Sequence, residues 1–231
     1  MGKKLINPLL EVKQKDMNLI NPFRFGSPIP TNGLIAYYPF NGNANDESGN
    51  GNNGTVSNAT LAVGRKGDAN HAYLFSKASS SYINISSIGH LPSFTYSMWI
   101  KDNGTDNGGI FAKSNFSNQQ GDYCVAFGSP VSNFFPYRIN NNAYELNINK
   151  NFDDGNWHHL VVIYNNSTMK VIYDNGTPIT RAAASSINNT YASIRLGNYF
   201  SNSFSFNGWM DDVRVFNREL TPDEITLLFN E

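Results

Sequence analysis

The chain has 231 residues, 40% of them hydrophobic and 13% aromatic, enough for one large β domain with a substantial core. Its 17 basic and 18 acidic residues leave a formal net charge of −1 with no long run of either sign, which argues against electrostatic capture of nucleic acid or of an anionic membrane surface. A single cysteine, Cys124, excludes an intramolecular disulfide framework, and no run of eighteen apolar residues is present to form a membrane-inserted helix. The setting of Cys124 (DYCVAF) is that of a buried strand residue, not of a nucleophile.

Residues 1–30 mix apolar and charged side chains without a sustained helical or alternating period. Lys3 and Lys4 begin as a secretory signal would, but the apolar stretch LINPLL is cut short by Pro8 and followed by Glu11, Lys13, Lys15 and Asp16. Either a leader has been removed, or the protein is made and assembled in a cytoplasm; the second reading is preferred. Prolines 8, 22, 28 and 30 remove amide donors and bias their predecessors towards extended backbone. Apolar residues such as Leu5, Leu9, Leu19, Phe23 and Phe25 give this stretch something to bury, so it is read as an arm pinned against its own domain or a partner.

Residues 40–54, FNGNANDESGNGNNG, pack oxygen-bearing side chains between four glycines that let backbone carbonyls turn inward. Such a loop can supply several of the six to eight oxygens that Ca²⁺ takes. It can equally be a solvated Asn/Gly turn, or a loop fastened by hydrogen bonds from an Asp to backbone. An EF-hand does not fit, because the sixth position from Asn41 is not glycine and no helices flank the loop.

From Thr31 onward, short runs rich in β-branched and aromatic residues alternate with Gly, Asn, Asp, Ser or Pro: LIAYYPF, AYLFS, SYINIS, FTYSMWIK, GIFAK, YCVAFG, HLVVIYN, MKVIYD, SIRLGNYF and WMDDVRVF. Strands at this density without helical runs between them mean an antiparallel sandwich. In MKVIYDNGTPIT, Asn175-Gly176 suits the centre of a type I′ hairpin turn. The stretches 116–123, 131–145 and 198–208 read as Asn-, Ser- and aromatic-rich surface loops. One helix closes the chain: Thr221 as N-cap, Pro222 at the first position and Glu224 three residues on form a capping box. Ile225, Leu228 and Phe229 should dock it on the sandwich.

Five blocks now stand in order: GLIAYYPFNGNANDESGNGNNGTV, FTYSMWIK, DGNWHHLVVIYN, MKVIYDNGTPI and NGWMDDVRVFNRELTPDEI. Together they resemble the pentraxin-related, LamG-like jelly-roll group of laminin-G-like, concanavalin A-like domains, over residues 33–231. The resemblance implies an all-β, concanavalin A-like jelly-roll sandwich of two antiparallel sheets (residues 31–231); the extended N-terminal arm (residues 1–30) lies outside it, and the short C-terminal helix is read from its capping box. It also implies a structural calcium ion where the oxygen-rich loop meets the acidic pair of the last strand: Asn43 and Asp46 with Asp211 and Asp212. Adjacent strand residues point to opposite faces, so Asp211, sharing parity with Val213 and Val215, is expected on the core side and Asp212 with Arg214 on the other.

Trp99, Trp157 and Trp209 lie inside these blocks and read as core residues in place of ligand platforms. His158 and His159, facing opposite ways, cannot form one metal site by themselves, and four histidines in all make a zinc centre a poor reading. Glycoside hydrolases on this general fold carry a Glu-x-Asp-x-Glu strand, and no such triplet occurs; nor does a nucleophile elbow, P-loop or Rossmann fingerprint. The chain therefore reads as a non-enzyme. Aromatic residues with neighbouring amides suit a sugar or a protein interface, and Phe116, Phe134, Phe135, Tyr137, Tyr199 and Phe200 are the ligand candidates. Two functional classes stay open. One is a displayed binding, adhesion or decoration protein of a large assembly such as a phage virion, docked on a capsid, tail or other assembly protein through residues 1–30 and engaging a cell-surface glycan. The other is the carbohydrate-binding module of a secreted bacterial protein.

Overall fold

A computed structural model describes residues 28–86, 88–89, 91–104, 108–115, 120–126, 134–139, 142–147, 152–166, 168–182, 193–199 and 201–231. The anchoring arm proposed for residues 1–30 falls outside these except for its last three residues. Of those, Pro30 is buried and Ile29 packs against the domain.

The strands begin with β1 (Leu34–Tyr38), β2 (Thr55–Ser57), β3 (Thr60–Ala62), β4 (Ala72–Phe75), β5 (Tyr82–Ile85) and β6 (Phe94–Asp102). They continue with β7 (Gly109–Asn115), β8 (Gln120–Ala126), β9 (Phe134–Ile139), β10 (Asn142–Asn147), β11 (His158–Tyr164) and β12 (Thr168–Tyr173). Then come β13 (Ile179–Ala182), β14 (Ile194–Leu196), β15 (Asn198–Tyr199), β16 (Ser201–Ser205) and β17 (Gly208–Phe216), with helix α1 (Pro222–Phe229) at the end. The first sheet runs β13-β12-β11-β6-β17-β4-β3, with β1 also paired to β17. The second runs β10-β9-β8-β7-β14-β5-β2, with β15 and β16 beside β7. The strands of both sheets pair antiparallel apart from the short β16–β7 contact, so this is the two-sheet jelly roll expected.

Period-two alternation explains why the strands sandwich. On β6, Phe94, Tyr96, Met98 and Ile100 enter the core, opposite Leu160, Val162 and Tyr164 of β11 and with Val213 and Val215 of β17. Rings fill the space between the sheets, with Tyr96 stacked on Phe111 at 4.2 Å and Phe94 on Tyr164 at 5.5 Å. The outer face of the first sheet is covered by α1: Ile225 and Leu228 join Val161, Ile163, Ile172, Phe216 and Leu220 in a second apolar cluster. The capping box is present, with Thr221 Oγ1 accepting from Glu224 N at 3.3 Å and Glu224 Oε2 accepting from Thr221 N at 2.8 Å. The Arg218 guanidinium holds the Glu224 carboxyl down at about 2.

Several local expectations need correction. The hairpin after β12 turns on Asp174 and Asn175, both at positive φ (50° and 55°), with Gly176 N donating to Tyr173 O; its centre is one residue earlier than Asn175-Gly176. The stretches read as surface loops carry strands: 131–145 contains β9 and most of β10, and 198–208 contains β15 and β16. Pro136 obscured β9. Among the described residues it sits where β9 pairs with β10 alone, β8 pairing with Tyr137–Ile139, so its missing amide is tolerated there. None of the three tryptophans is in an apolar core; all are half-buried. Trp99 lies on the outer face between Arg65 and Phe229, and Trp209 lies under Lys101.

Candidate functional site

The 40–54 loop is fastened from within. Asp46 Oδ1 accepts from Tyr37 N and Ser48 N, each at 2.9 Å, and its Oδ2 accepts from Asn52 N at 2.9 Å. Burial would raise this carboxyl, but the hydrogen bonds from Ser48, Tyr37 and Asn52 outweigh it and hold Asp46 below the ordinary carboxylate range. The amides then cover the free edge of β1: Asn50 Nδ2 donates to Leu34 O at 3.1 Å and Asn52 Nδ2 to Ile35 O at 2.7 Å. Asn43 is exposed, and its Oδ1 accepts from Asn45 N in a local turn at 2.7 Å.

On β17 the alternation argument fails at one residue. Asp212 has φ 48°, and the register to β6 slips between Asp211 and Arg214. This bulge inserts an extra residue, so Asp211 pairs with Trp99 on the outer face while Val213 still enters the core. The expectation that Asp211 and Asp212 face opposite ways is corrected accordingly: both meet Arg65. Asp211 Oδ2 accepts from Arg65 N at 2.8 Å, and Asp212 Oδ2 accepts from Arg65 Nε and Nη2 at 3.0 and 2.9 Å. Tyr37 links the halves, its backbone amide on Asp46 and its hydroxyl donating to Asp212 Oδ1 at 3.1 Å.

Arg214 bonds Glu231 at 2.7 Å and sits 4.0 Å over the Tyr37 ring. Burial, aided by Arg214 and Arg65, pushes His159 down to about 3, and this neutral ring contacts Ser97 Oγ at 2.8 Å. Burial pushes Asp211 up to about 6, with the Asp212 charge adding to the effect and the Arg65 amide opposing it. Gly64 makes the close approach possible: a Cβ there would lie 2.7 Å from His71 Cβ and 2.9 Å from Asp211 Oδ2.

Asp211 and Asp212 form the floor of a cleft of about 200 Å³, walled by Tyr37, Pro39, Asn41, Lys66, Asp68, His71 and Glu231. Sequence reasoning found the two acids and missed Tyr37, Arg65, Lys66, Asp68 and His71. The glycine-bounded turn GRKGD, closed by Gly64 N to Asp68 O at 2.9 Å, was the available signal. A calcium ion shared by Asn43, Asp46, Asp211 and Asp212 does not fit this arrangement. Asp46 is committed to three amides, Asn43 to its own turn, and Asp212 already carries a guanidinium. Among the described residues no group of three or more His, Cys, Asp or Glu is placed to hold a metal.

Of the ligand candidates, Phe116 and Phe200 lie outside the described residues. Phe134, Phe135 and Tyr137 stand on β9 and Tyr199 on β15. Tyr137 occupies the register row of Val125 and Phe111, both buried.

A laminin-G family model, described as the concanavalin A-like lectin/glucanases superfamily, matches residues 77–226. Among solved structures, domain 4 of AbnA, a GH43 extracellular arabinanase from Geobacillus stearothermophilus in complex with arabinotriose, superposes with a TM-score of 0.67 at 19% identity, covering 84% of this chain and 96% of that one. The binding domain of botulinum neurotoxin DC in complex with SialylT gives 0.63 at 17% identity over 87% of this chain. The same toxin's binding domain with rat synaptotagmin II gives 0.66 at 17% over 88%. This chain spans 52% of each neurotoxin domain.

Proposed function

The chain belongs to the concanavalin A-like lectin/glucanases superfamily, and from that premise we propose that it is a non-catalytic domain that binds a carbohydrate. The observation that carries this reading is the cleft over Asp211. Its floor and back wall are held rigid by the Tyr37–Asp212–Arg65 hydrogen bonds, while Asn41, Lys66, Asp68 and His71 on its rim offer both donors and acceptors. Fixed polar groups around a space the size of one sugar ring suit hydroxyl recognition. Of the acids lining the cleft, Asp212 is held by Arg65 and Glu231 by Arg214, which leaves Asp211 and Asp68; the non-catalytic reading rests on the sequence, which lacks the Glu-x-Asp-x-Glu strand of glycoside hydrolases on this general fold. The arabinanase domain is in complex with arabinotriose and the neurotoxin binding domain with SialylT, which supports the class of ligand without fixing the sugar.

The test is a screen of neutral and acidic oligosaccharides against the full chain, followed by titration calorimetry of hits on Lys66→Ala and His71→Ala. Binding weakened about tenfold or more in both variants places the sugar in the cleft. Unchanged binding moves it elsewhere, β9 being the first alternative, and no binding at all overturns the reading. Display on a large assembly such as a virion, with residues 1–30 as the anchor, extends this proposal. It requires that the protein co-migrate with a particle and that deletion of the arm abolish co-migration while leaving sugar binding intact.

A further inference from the structure

A second cluster of titratable side chains lies away from the cleft, at the start of β11. His158 is 5% exposed there, with Nδ1 2.7 Å from Asp174 Oδ2 and Nε2 3.0 Å from Asp154 Oδ1. An ionised carboxylate only accepts hydrogen bonds, and a neutral imidazole has one N–H and one lone pair. A neutral ring would therefore set a lone pair against one of the two carboxylates. Only the doubly protonated ring donates to both.

The same contacts tie three pieces of chain together. Asp174 Oδ1 accepts from His159 N at 3.1 Å, and Asp154 Oδ1 accepts from Asn156 N at 2.9 Å. The ring stands edge-on to Phe152 at 5.2 Å, and Phe152 is a core residue that also meets Tyr173 at 5.7 Å. Among the described residues, the charged groups facing His158 are Asp154 from the preceding segment and Asp174 from the β12–β13 turn. Asp153 alongside is exposed, and the partner on β6 is the apolar Ile100.

We propose that His158 is a proton-operated clasp: doubly protonated, it fastens residues 152–156 to the Asp174 turn, and loss of one ring proton releases that segment. Acid closes the clasp and base opens it.

Two measurements on the full chain between pH 5 and 9 test this together: ring nitrogen NMR of His158, and hydrogen exchange of residues 152–157 corrected for intrinsic rates. The expected result is a ring that passes from two protons to one while exchange at 152–157 accelerates about tenfold and the middle of β11 is unaffected. His158→Gln should exchange fast at every pH. Asp154→Asn should abolish the pH dependence while the contact to Asp174 persists. Protection that stays constant through the ring's titration overturns the proposal, as does a ring whose protonation never changes in that range. Should a variant fail to fold, the parent's own titration decides.

Discussion

Asp46 shows how much one side chain can organise. Its two oxygens serve three backbone amides, so Asp46→Ala strands those donors and leaves the loop over β1 without its inner brace. A loss of roughly 1–3 kcal/mol is expected, the range for orphaned buried hydrogen-bonding groups. Because the loop is fastened by amides, the loss should be the same in calcium and in EDTA, read as the shift of the urea midpoint. A parent protein stabilised by several degrees in calcium would instead put an ion into the cleft. Gly64→Ala makes a separate test at the same scale. Its methyl would press on His71 and the Asp211 carboxylate, and a destabilisation of about 1–3 kcal/mol is expected together with weaker binding in the cleft.

Among the elements, α1 and β17 carry the argument. The helix has eight residues, too few to persist alone, and holds its place by the capping box and by Ile225 and Leu228 in the second apolar cluster. Thr221→Ala should cost about 1 kcal/mol, and Leu228→Ala about 2–4 kcal/mol through the cavity it opens. Thermal unfolding distinguishes a capping effect from a packing effect by that ratio. β17 works differently, because its bulge at Asp212 aims two acids at one arginine. Replacing Asp212, at φ 48°, by a β-branched residue should destabilise more than Asp212→Asn, since Asn tolerates the left-handed region and Val does not.

For the whole molecule, one part of the pH dependence follows from His159, beside the losses that Glu224 and Asp46 add as the pH falls through the carboxylate range. In the unfolded chain this ring takes up a proton near ~6.5, whereas the folded ring, buried beside Arg214 and Arg65, resists protonation down to about 3. The unfolded state therefore binds more protons in that window, and stability falls as the pH falls through it. Asp211 acts in the opposite sense. Pushed up to about 6, it binds a proton in the fold before the unfolded carboxyl does, and this offsets part of the loss between about pH 6 and ~4. Urea denaturation at pH 7, 5 and 4 should show a net decline that flattens in His159→Gln. A parent curve that rises towards pH 4 would mean that Asp211 dominates.

Much of the architecture was legible because it depends on local, periodic signals. Alternating apolar residues on β6 and β11, the T-P-D-E cap before α1 and the opposite facing of His158 and His159 need no knowledge of distant chain. The loop at 40–54 was equally visible as a composition, and Asp46 as its centre. What the tertiary structure alone decided lies where segments far apart in sequence meet or where one residue breaks a period. The bulge at Asp212 inverted the side expected for Asp211, and Arg65, 147 positions away from Asp212, supplies a cation at the acidic pair where the family resemblance implied a metal. Strands β9 and β16 hid in Asn-, Ser- and Pro-containing stretches, because pairing with a neighbouring strand can override weak local propensity. Side-chain type and period determine which residues can form sheet, cap and loop; which carboxylate meets which guanidinium depends on register, and register is set only when the two sheets pack.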